Sequence, residues 1–368
     1  MSANEREPHT VRVETPSRSY DVFVGLGILR EVGHLVREAA GGSAAVVVSD
    51  SNVGPLYADD VLESLGQAGY DASLVTFPAG ERHKRLSTFE GILEGIAARG
   101  LSRDDVVVAL GGGVTGDMAG YAAASYLRGI QFVQVPTSLL AMVDSSVGGK
   151  CAVDLSCGKN LAGTFHQPSL VVADVTCLST LSPELFRDSC GEVIKHAILS
   201  DRVLFDELCS HPLTDPTRTE EEVARIVARN VEIKRDVVNA DERERGLRQT
   251  LNLGHTIGHA IEAASDYTLG HGSSVAAGLC CMLRATEALG WSSPELTRLT
   301  CDCVSKHGLP TDTLVDHKTL FEFATHDKKR HGGSVNVVVA RDINEVEVRR
   351  ITLDELRTFI DLGCGTGA

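Results

Sequence analysis

At 368 residues the chain exceeds what one compact core comfortably holds, so two domains are expected. With 43% hydrophobic and 23% charged residues, it has the composition of an ordinary globular protein. A net charge of −15 argues against nucleic acid or an anionic membrane as partner, so an anionic substrate needs a local pocket of Lys and Arg.

The N-terminal stretch MSANEREPHTVRVETPSRSYDVFVG has no basic region leading into an apolar run, so no signal peptide is expected. No run approaches the roughly 18 apolar residues of a membrane-spanning helix, and the expected location is cytoplasmic. In chain order, VRVETPSRSYDVFVG predicts two strands and GILREVGHLVREAA a helix. AAVVVSD (44 to 50) predicts a buried parallel strand ending on Asp50, and DASLVTFPAG another. TFEGILEGIAARG reads as a helix, followed by strands at DDVVVALGGG and IQFVQVPTS. Strands alternating with helices of this length predict a parallel sheet with crossover helices, whose ligands bind at the carboxyl ends of the strands.

From about residue 182 the period becomes helical. SPELFRDSCGEVIKHAILSDRVLFDELCS, TEEEVARIVARNVEIKRDVVNADERE, the His-bearing segment and VAAGLCCMLRATEALG all fit that period, with one late hairpin at SVNVVVARDINEVEVRRI. LGCGTGA at the end reads as a frayed tail. The expected division is an α/β domain over 1–181 and a mainly α-helical domain over 182–368. Ten cysteines without a CxxC pair suggest a reduced chain, its thiols filling core positions, and no thiolate zinc site.

Four stretches carry candidate chemistry. LGGGVTGDMAG (110 to 120) follows a buried strand and opens a helix, which favours a nucleotide phosphate over a merely structural turn. VDSSVGGKCAVDLSCGKN (143 to 160) gathers Asp144, Lys150, Lys159 and Asn160, either as a polar surface loop or as a phosphate and polyol pocket. SCGEVIKHA sets Glu192 and Lys195 three apart on one helix face, the spacing of an ordinary ion pair. TLNLGHTIGHAIEA sets His255 and His259 one turn apart, with His271 following, and a carboxylate from another helix would complete a divalent-metal site. Spacing alone selects His255 and His259 as the ligand pair. The charged clusters DERERGLR and HDKKRHGG read as solvated faces.

Taken together these stretches resemble the dehydroquinate synthase family of sugar-phosphate cyclases. GGGVTGDMAGYAAASYLRG, QVPTSLLAMVDSSVGGKCAV, GKN, GEVIK, DERERGLRQTLNLGHTIGHAIEA and HG occur in the family's order over nearly the whole chain. The resemblance implies a Rossmann-like nucleotide-binding domain, a helical domain, and an active site in the cleft between them. It implies that Glu192, His255 and His271 bind zinc or cobalt, and that His259 serves proton relay or the phosphate region. NAD would contact Asp50, Asn52, Glu81, Lys84, Gly113, Val114, Thr115, Gly116, Asp117, Thr137, Ser138, Lys150, Lys159, Cys177, Leu178, Ser179 and Thr180. Substrate would meet Arg128, Asp144, Lys150, Asn160, Lys195, Lys234, Arg248, Asn252, His259, His271 and Lys328. Of the residues named, Lys150, Glu192, Lys195, Lys234, Arg248, Asn252 and His259 carry the implied catalytic roles.

The implied reaction converts 3-deoxy-D-arabino-heptulosonate 7-phosphate to 3-dehydroquinate and phosphate, a step of the shikimate route to aromatic amino acids, in a homodimer. Four positions depart from the family's usual residues: Ser273 for Glu, Asp154 for Asn, His166 for Tyr and His196 for Tyr. Other readings are a different cyclase of the same fold, an NAD- and metal-dependent polyol dehydrogenase, and a non-catalytic relative. The density of phosphate-suited lysines argues against the dehydrogenase. Intact Lys150, Glu192, Lys195, His255 and His271 argue against the non-catalytic relative.

Overall fold

A computed structural model describes residues 7–266, 268–325 and 333–365. The chain divides into two compact units, one of residues 1–181 and 219–243 and the other of residues 182–218 and 244–368. A single cut after residue 181 therefore misassigns one helix.

The first unit opens with β1 (His9–Glu14) and β2 (Ser19–Gly25), then α1 (Val32–Ala40), β3 (Ala44–Asp50), α2 (Gly54–Gln67) and β4 (Asp71–Phe77). It continues through α3 (Leu86–Ala98), β5 (Val106–Gly111), α4 (Gly113–Ser125), β6 (Gln131–Pro136), the hairpin β7 (Lys150–Leu155) and β8 (Gly158–Phe165), and β9 (Leu170–Asp174). Helices α5 (Pro183–Ser200) and α6 (Arg202–Ser210) belong to the second unit, and α7 (Glu220–Ala240) to the first. The second unit resumes with α8 (His255–Ala264), α9 (His271–Ala288), α10 (Pro294–Lys306), α11 (His317–Thr325), the hairpin β10 (Ser334–Asp342) and β11 (Glu345–Thr352), and α12 (Leu353–Gly363).

Seven strands form one sheet in the order β1-β2-β9-β6-β5-β3-β4. All its pairings are parallel except the outer β1–β2 pair. Central strands such as VVVALG are buried throughout, as a sheet covered on both faces requires. The carboxyl ends of β3, β5 and β6 deliver Asp50, Gly111 and Pro136 to one edge. Helix α4 lies close against its neighbours because Gly120 has no side chain. A Cβ there would stand 2.4 Å from the Cys151 sulfur and 2.9 Å from the Phe132 ring.

Helix α7 begins at a capping box of Thr219 and Glu222 and buries Val223, Ile226, Val227 and Val231. It packs on β1 and β2, and this packing, not its helical period, assigns it to the first unit. The hairpin β7–β8 and strand β9 have no counterpart in the sequence-based elements. The hairpin is rich in glycine and polar residues, which hid its alternation.

In the second unit, α5, α8 and α9 pack together, and α9 also touches α10 and α12. Ile257, Ile261, Cys281 and Met282 share a core with Val337, Ile351 and Phe359, so the late hairpin and α12 close over α8 and α9. The expected frayed tail is corrected here: Leu362 and Gly363 are helical and Cys364 is buried, while residues 366–368 lie outside the described ones. No helix among the described residues is long and apolar enough to cross a membrane.

Candidate active site

In the second unit the chemistry gathers on three helices. Glu192 and Lys195 lie in the buried middle of α5, with 0% and 1% of their side chains exposed. The Lys195 ammonium is ion-paired with Glu192 Oε2. Facing them, the Nε2 atoms of His255 and His271 each stand 3.4 Å from Glu192 Oε1.

The other ring nitrogens are already committed. His255 Nδ1 lies 3.1 Å from the Leu253 carbonyl, which can only accept, so that nitrogen carries a proton. His271 Nδ1 lies 3.2 Å from Glu262 Oε2, again an acceptor. Both Nε2 atoms are thereby turned toward Glu192. Burial pushes His255 down to about 3. Burial also disfavours charged His271, but Glu192 and Glu262 outweigh it and raise the group to about 10. For Glu192 itself burial acts upward, yet Lys195 and the two histidines hold its carboxyl well below the ordinary range.

Neither Glu192 oxygen accepts a hydrogen bond of normal geometry from any described residue. A fully buried carboxylate needs a cationic partner, and Glu192 with the two imidazoles beside it matches a zinc donor set. His255, His259 and His271 also offer ring nitrogens within 4.8 Å of one another. Spacing alone selects the pair His255 and His259, and the structure does bring their rings to 5.0 Å. The carboxylate distinguishes the alternatives, since Glu192 faces His255 and His271 through Nε2. His259 is exposed.

Glu262, which orients His271, was not among the sequence candidates. The signal was available, for Glu262 lies seven residues after His255, two turns along the same face of α8. Arg248 is almost fully buried in the helical turn Leu247–Asn252, and Asn252 Nδ2 donates to Glu244 at 3.2 Å. Lys328 lies outside the described residues.

The first unit gathers the other candidates at the carboxyl edge of its sheet. Asp50 ends β3, and its Oδ1 accepts from Asn52 and Val53 N–H at 2.8 and 3.1 Å while Oδ2 accepts from Thr115 at 3.3 Å. Helix α4 starts after β5 with Gly112 as a cap that has no side chain to offer, leaving its first N–H groups for a ligand. A Cβ on Gly113 would lie 3.1 Å from Ser145 Oγ, and one on Gly112 3.4 Å from Ser138 Oγ, so the glycines keep a cradle open between α4 and the turn after β6. Gly116 sits flat on Gln134, where a Cβ would approach to 2.5 Å. Val114 is half-buried behind it, and Thr137 N–H donates to Gly111 at 3.0 Å.

Lys84, expected at the nucleotide, is buried between Asp117 at 2.5 Å and Asn160 at 2.6 Å. Asn160 holds φ 56, a left-handed conformation that Asn tolerates, and its N–H donates to Asp154 at 2.8 Å. Lys159 reaches Glu81 at 3.3 Å. Past β9, Cys177 and Leu178 are buried in the short helix Val175–Thr180, and Tyr57 hydroxyl contacts Thr180 Oγ1 at 2.7 Å. Ser179 turns back on the Thr176 carbonyl at 2.7 Å.

Lys234 on α7 pairs at 2.6 Å with Oδ1 of Asp144 on the π-helical turn Ala141–Ser145, joining two expected substrate residues. Lys150 opens β7 with its side chain exposed. Arg128 follows Leu127 in a turn where both adopt positive φ, 68 and 49, a conformation costly for side-chain-bearing residues. Residues 74–188 match the model described as 3-dehydroquinate synthase N-terminal, and residues 189–330 the one described as 3-dehydroquinate synthase C-terminal.

The chain belongs to the 3-dehydroquinate synthase family.

A 3-dehydroquinate synthase from Streptococcus sanguinis (strain SK36) is 38% identical over 352 residues, covering 95% of this chain and 99% of that protein. Among solved structures, a 2-deoxy-scyllo-inosose synthase complexed with carbaglucose-6-phosphate, NAD+ and Co2+ is similar with a TM-score of 0.86 at 25% identity, over 96% of this chain and 100% of its own. A 2-epi-5-epi-valiolone synthase from Streptomyces hygroscopicus subsp. jinggangensis, with NAD+ and Zn2+ bound, gives 0.83 at 26% identity, over 93% of this chain and 96% of its own.

Proposed function

We propose that this member of the 3-dehydroquinate synthase family converts 3-deoxy-D-arabino-heptulosonate 7-phosphate to 3-dehydroquinate and phosphate, using NAD+ and a zinc or cobalt ion. The observation that carries the chemistry is Glu192, fully buried, ion-paired with Lys195 and faced by two oriented imidazoles. Glu192, His255 and His271 would hold the metal, and the glycine cradle at the start of α4 would hold the NAD pyrophosphate. When bound, the metal supplies Lewis acidity toward a hydroxyl or carbonyl oxygen, and NAD takes and returns a hydride.

This chain's own residues do the rest. Lys195 keeps Glu192 ionised in a buried setting. Lys150, Lys234 and Arg248 provide the local positive charge that binding a phosphate and a carboxylate requires against a net charge of −15. Asp144 accepts from a substrate hydroxyl, while Arg128, Asn160, Asn252 and Lys328 orient the substrate. His259 is the exposed imidazole available to move a proton. Asp50 and Asn52 meet the cofactor at the end of β3, with Glu81, Lys84, Thr137, Ser138, Lys159 and the segment Cys177–Thr180 completing its site.

A homodimer in the cytoplasm completes the reading, and light scattering on the eluted protein tests the dimer. The enzymatic reading is tested by removing metal with a chelator and following phosphate release. Activity is expected to vanish and to return with zinc or cobalt. Full phosphate release from protein shown by elemental analysis to be metal-free rules the reading out.

A further inference from the structure

Helix α9 begins at His271, yet it has no cap of its own. Its N-cap residue is Gly270, no side chain caps it, and its first turn contains no acidic residue. Position 273, where the sequence carries Ser, does not supply one either. The N–H groups of Gly272 and Ser273 would then be left as unsatisfied donors at a partly buried helix end. They are satisfied from another helix: Asp188 on α5 accepts from Gly272 N–H at 3.1 Å and from Ser273 N–H at 2.7 Å.

The contact is close on both sides. A Cβ on Gly270 would stand 2.2 Å from Asp188 Oδ1, and one on Gly272 1.9 Å from the Asp188 carbonyl. A Cβ on Gly191 would stand 2.1 Å from the Gly272 carbonyl. Three glycines thus allow the backbones of α5 and α9 to touch, and the Asp188 carboxylate fixes their register while complementing the positive end of the helix. His271 lies between the two glycines that abut Asp188. Glu192 lies four residues after Asp188, one turn along α5 on the same face.

We infer that Asp188 is a positioning residue for the metal site: by clamping the first turn of α9 to α5 it sets His271 Nε2 against the Glu192 carboxylate. Glu262 orients the ring and Asp188 orients the backbone that carries it. The inference rests on the reading of Glu192, His255 and His271 as metal ligands.

The test titrates zinc into metal-stripped full-length protein in competition with a chromogenic chelator, alongside thermal melting. Asp188→Ala is expected to bind zinc about 10–100-fold more weakly, the range for loss of an outer residue that orients a ligand. Asp188→Asn keeps one acceptor oxygen but turns an amide donor toward the second N–H, and should fall between Asp188→Ala and the unaltered protein. Thr352→Ala, which removes the capping box of α12 in the same unit, should lower the melting temperature and leave zinc affinity unchanged. If Asp188→Ala does not fold, Asp188→Asn decides, and an affinity at least about 3-fold weaker supports the inference. Unaltered protein that binds no zinc overturns the metal reading and this inference with it. Zinc bound normally by the unaltered protein and equally by the folded Asp188 variants overturns the inference alone, as does an equal loss in Thr352→Ala.

Discussion

At the residue scale, His255 and His259 look interchangeable in the sequence and are not so in the fold. His255 is buried, its Nδ1 proton is fixed by the Leu253 carbonyl, and its Nε2 faces Glu192. His259, one turn on, is exposed. His255→Ala is expected to lose zinc, because removing one donor from three leaves too few to hold the ion. His259→Ala should keep zinc and lose catalysis by about 10²–10⁴-fold, the usual worth of a positioned proton-transfer group. Metal content and turnover of the two purified variants check this, and equal zinc loss in both would restore the one-turn chelate. The sequence showed all three histidines and Glu192. It could not show which imidazole nitrogen is committed, because that depends on acceptors at Leu253 and Glu262.

At the element scale, two contacts explain how the sites are held. Asp105, the residue just before β5, accepts from the N–H groups of Ser43, Ala44 and Ser102 at 2.9, 2.8 and 2.7 Å, tying β3 to β5. Burial pushes its carboxyl upward, but these N–H bonds outweigh burial and bring it from 3.8 down to about 2. A group whose folded value is depressed stabilises above its unfolded value, and that stability disappears as pH falls through the folded one. Asp105→Ala should therefore cost roughly 1–3 kcal/mol at neutral pH, and the gap should close between about pH 4 and pH 2. Urea unfolding across that range measures it, and a pH-independent gap would refute the electrostatic account. In the second unit, α8 and α9 cross at Gly278, where a Cβ would lie 2.4 Å from the Gly254 carbonyl and from Gly258 N. Gly278→Ala should cost roughly 1–3 kcal/mol by overpacking and weaken zinc binding with it, since α8 carries His255. Unchanged unfolding and zinc titrations would show that the crossing can relax.

For the whole molecule, the proposed chemistry returns the hydride it takes, so NAD acts many times without net consumption. Phosphate release should continue for many turnovers at NAD below the substrate concentration, with no lasting rise in absorbance from reduced cofactor. Stoichiometric accumulation of NADH would instead favour a polyol dehydrogenase on the same fold.

The sequence by itself determined the elements whose periodicity is strong and local. These are the Val-rich parallel strands, the switch to helices near residue 182, the late hairpin, and the ordered motifs that place the chain in its family. Tertiary structure decided what local pattern cannot encode. Helix α7 has the same helical period as its neighbours in sequence, but its apolar face finds β1 and β2, so it joins the first unit. The polar hairpin β7–β8 gains its strand character from cross-strand pairing, from Lys150 with Phe165 through Val153 with Ala162. The helix end at His271 is completed by a carboxylate from residue 188, 84 and 85 positions away from the amides it accepts. Burial and hydrogen-bond satisfaction are settled by groups far apart in the chain, and only the packed fold brings those groups together.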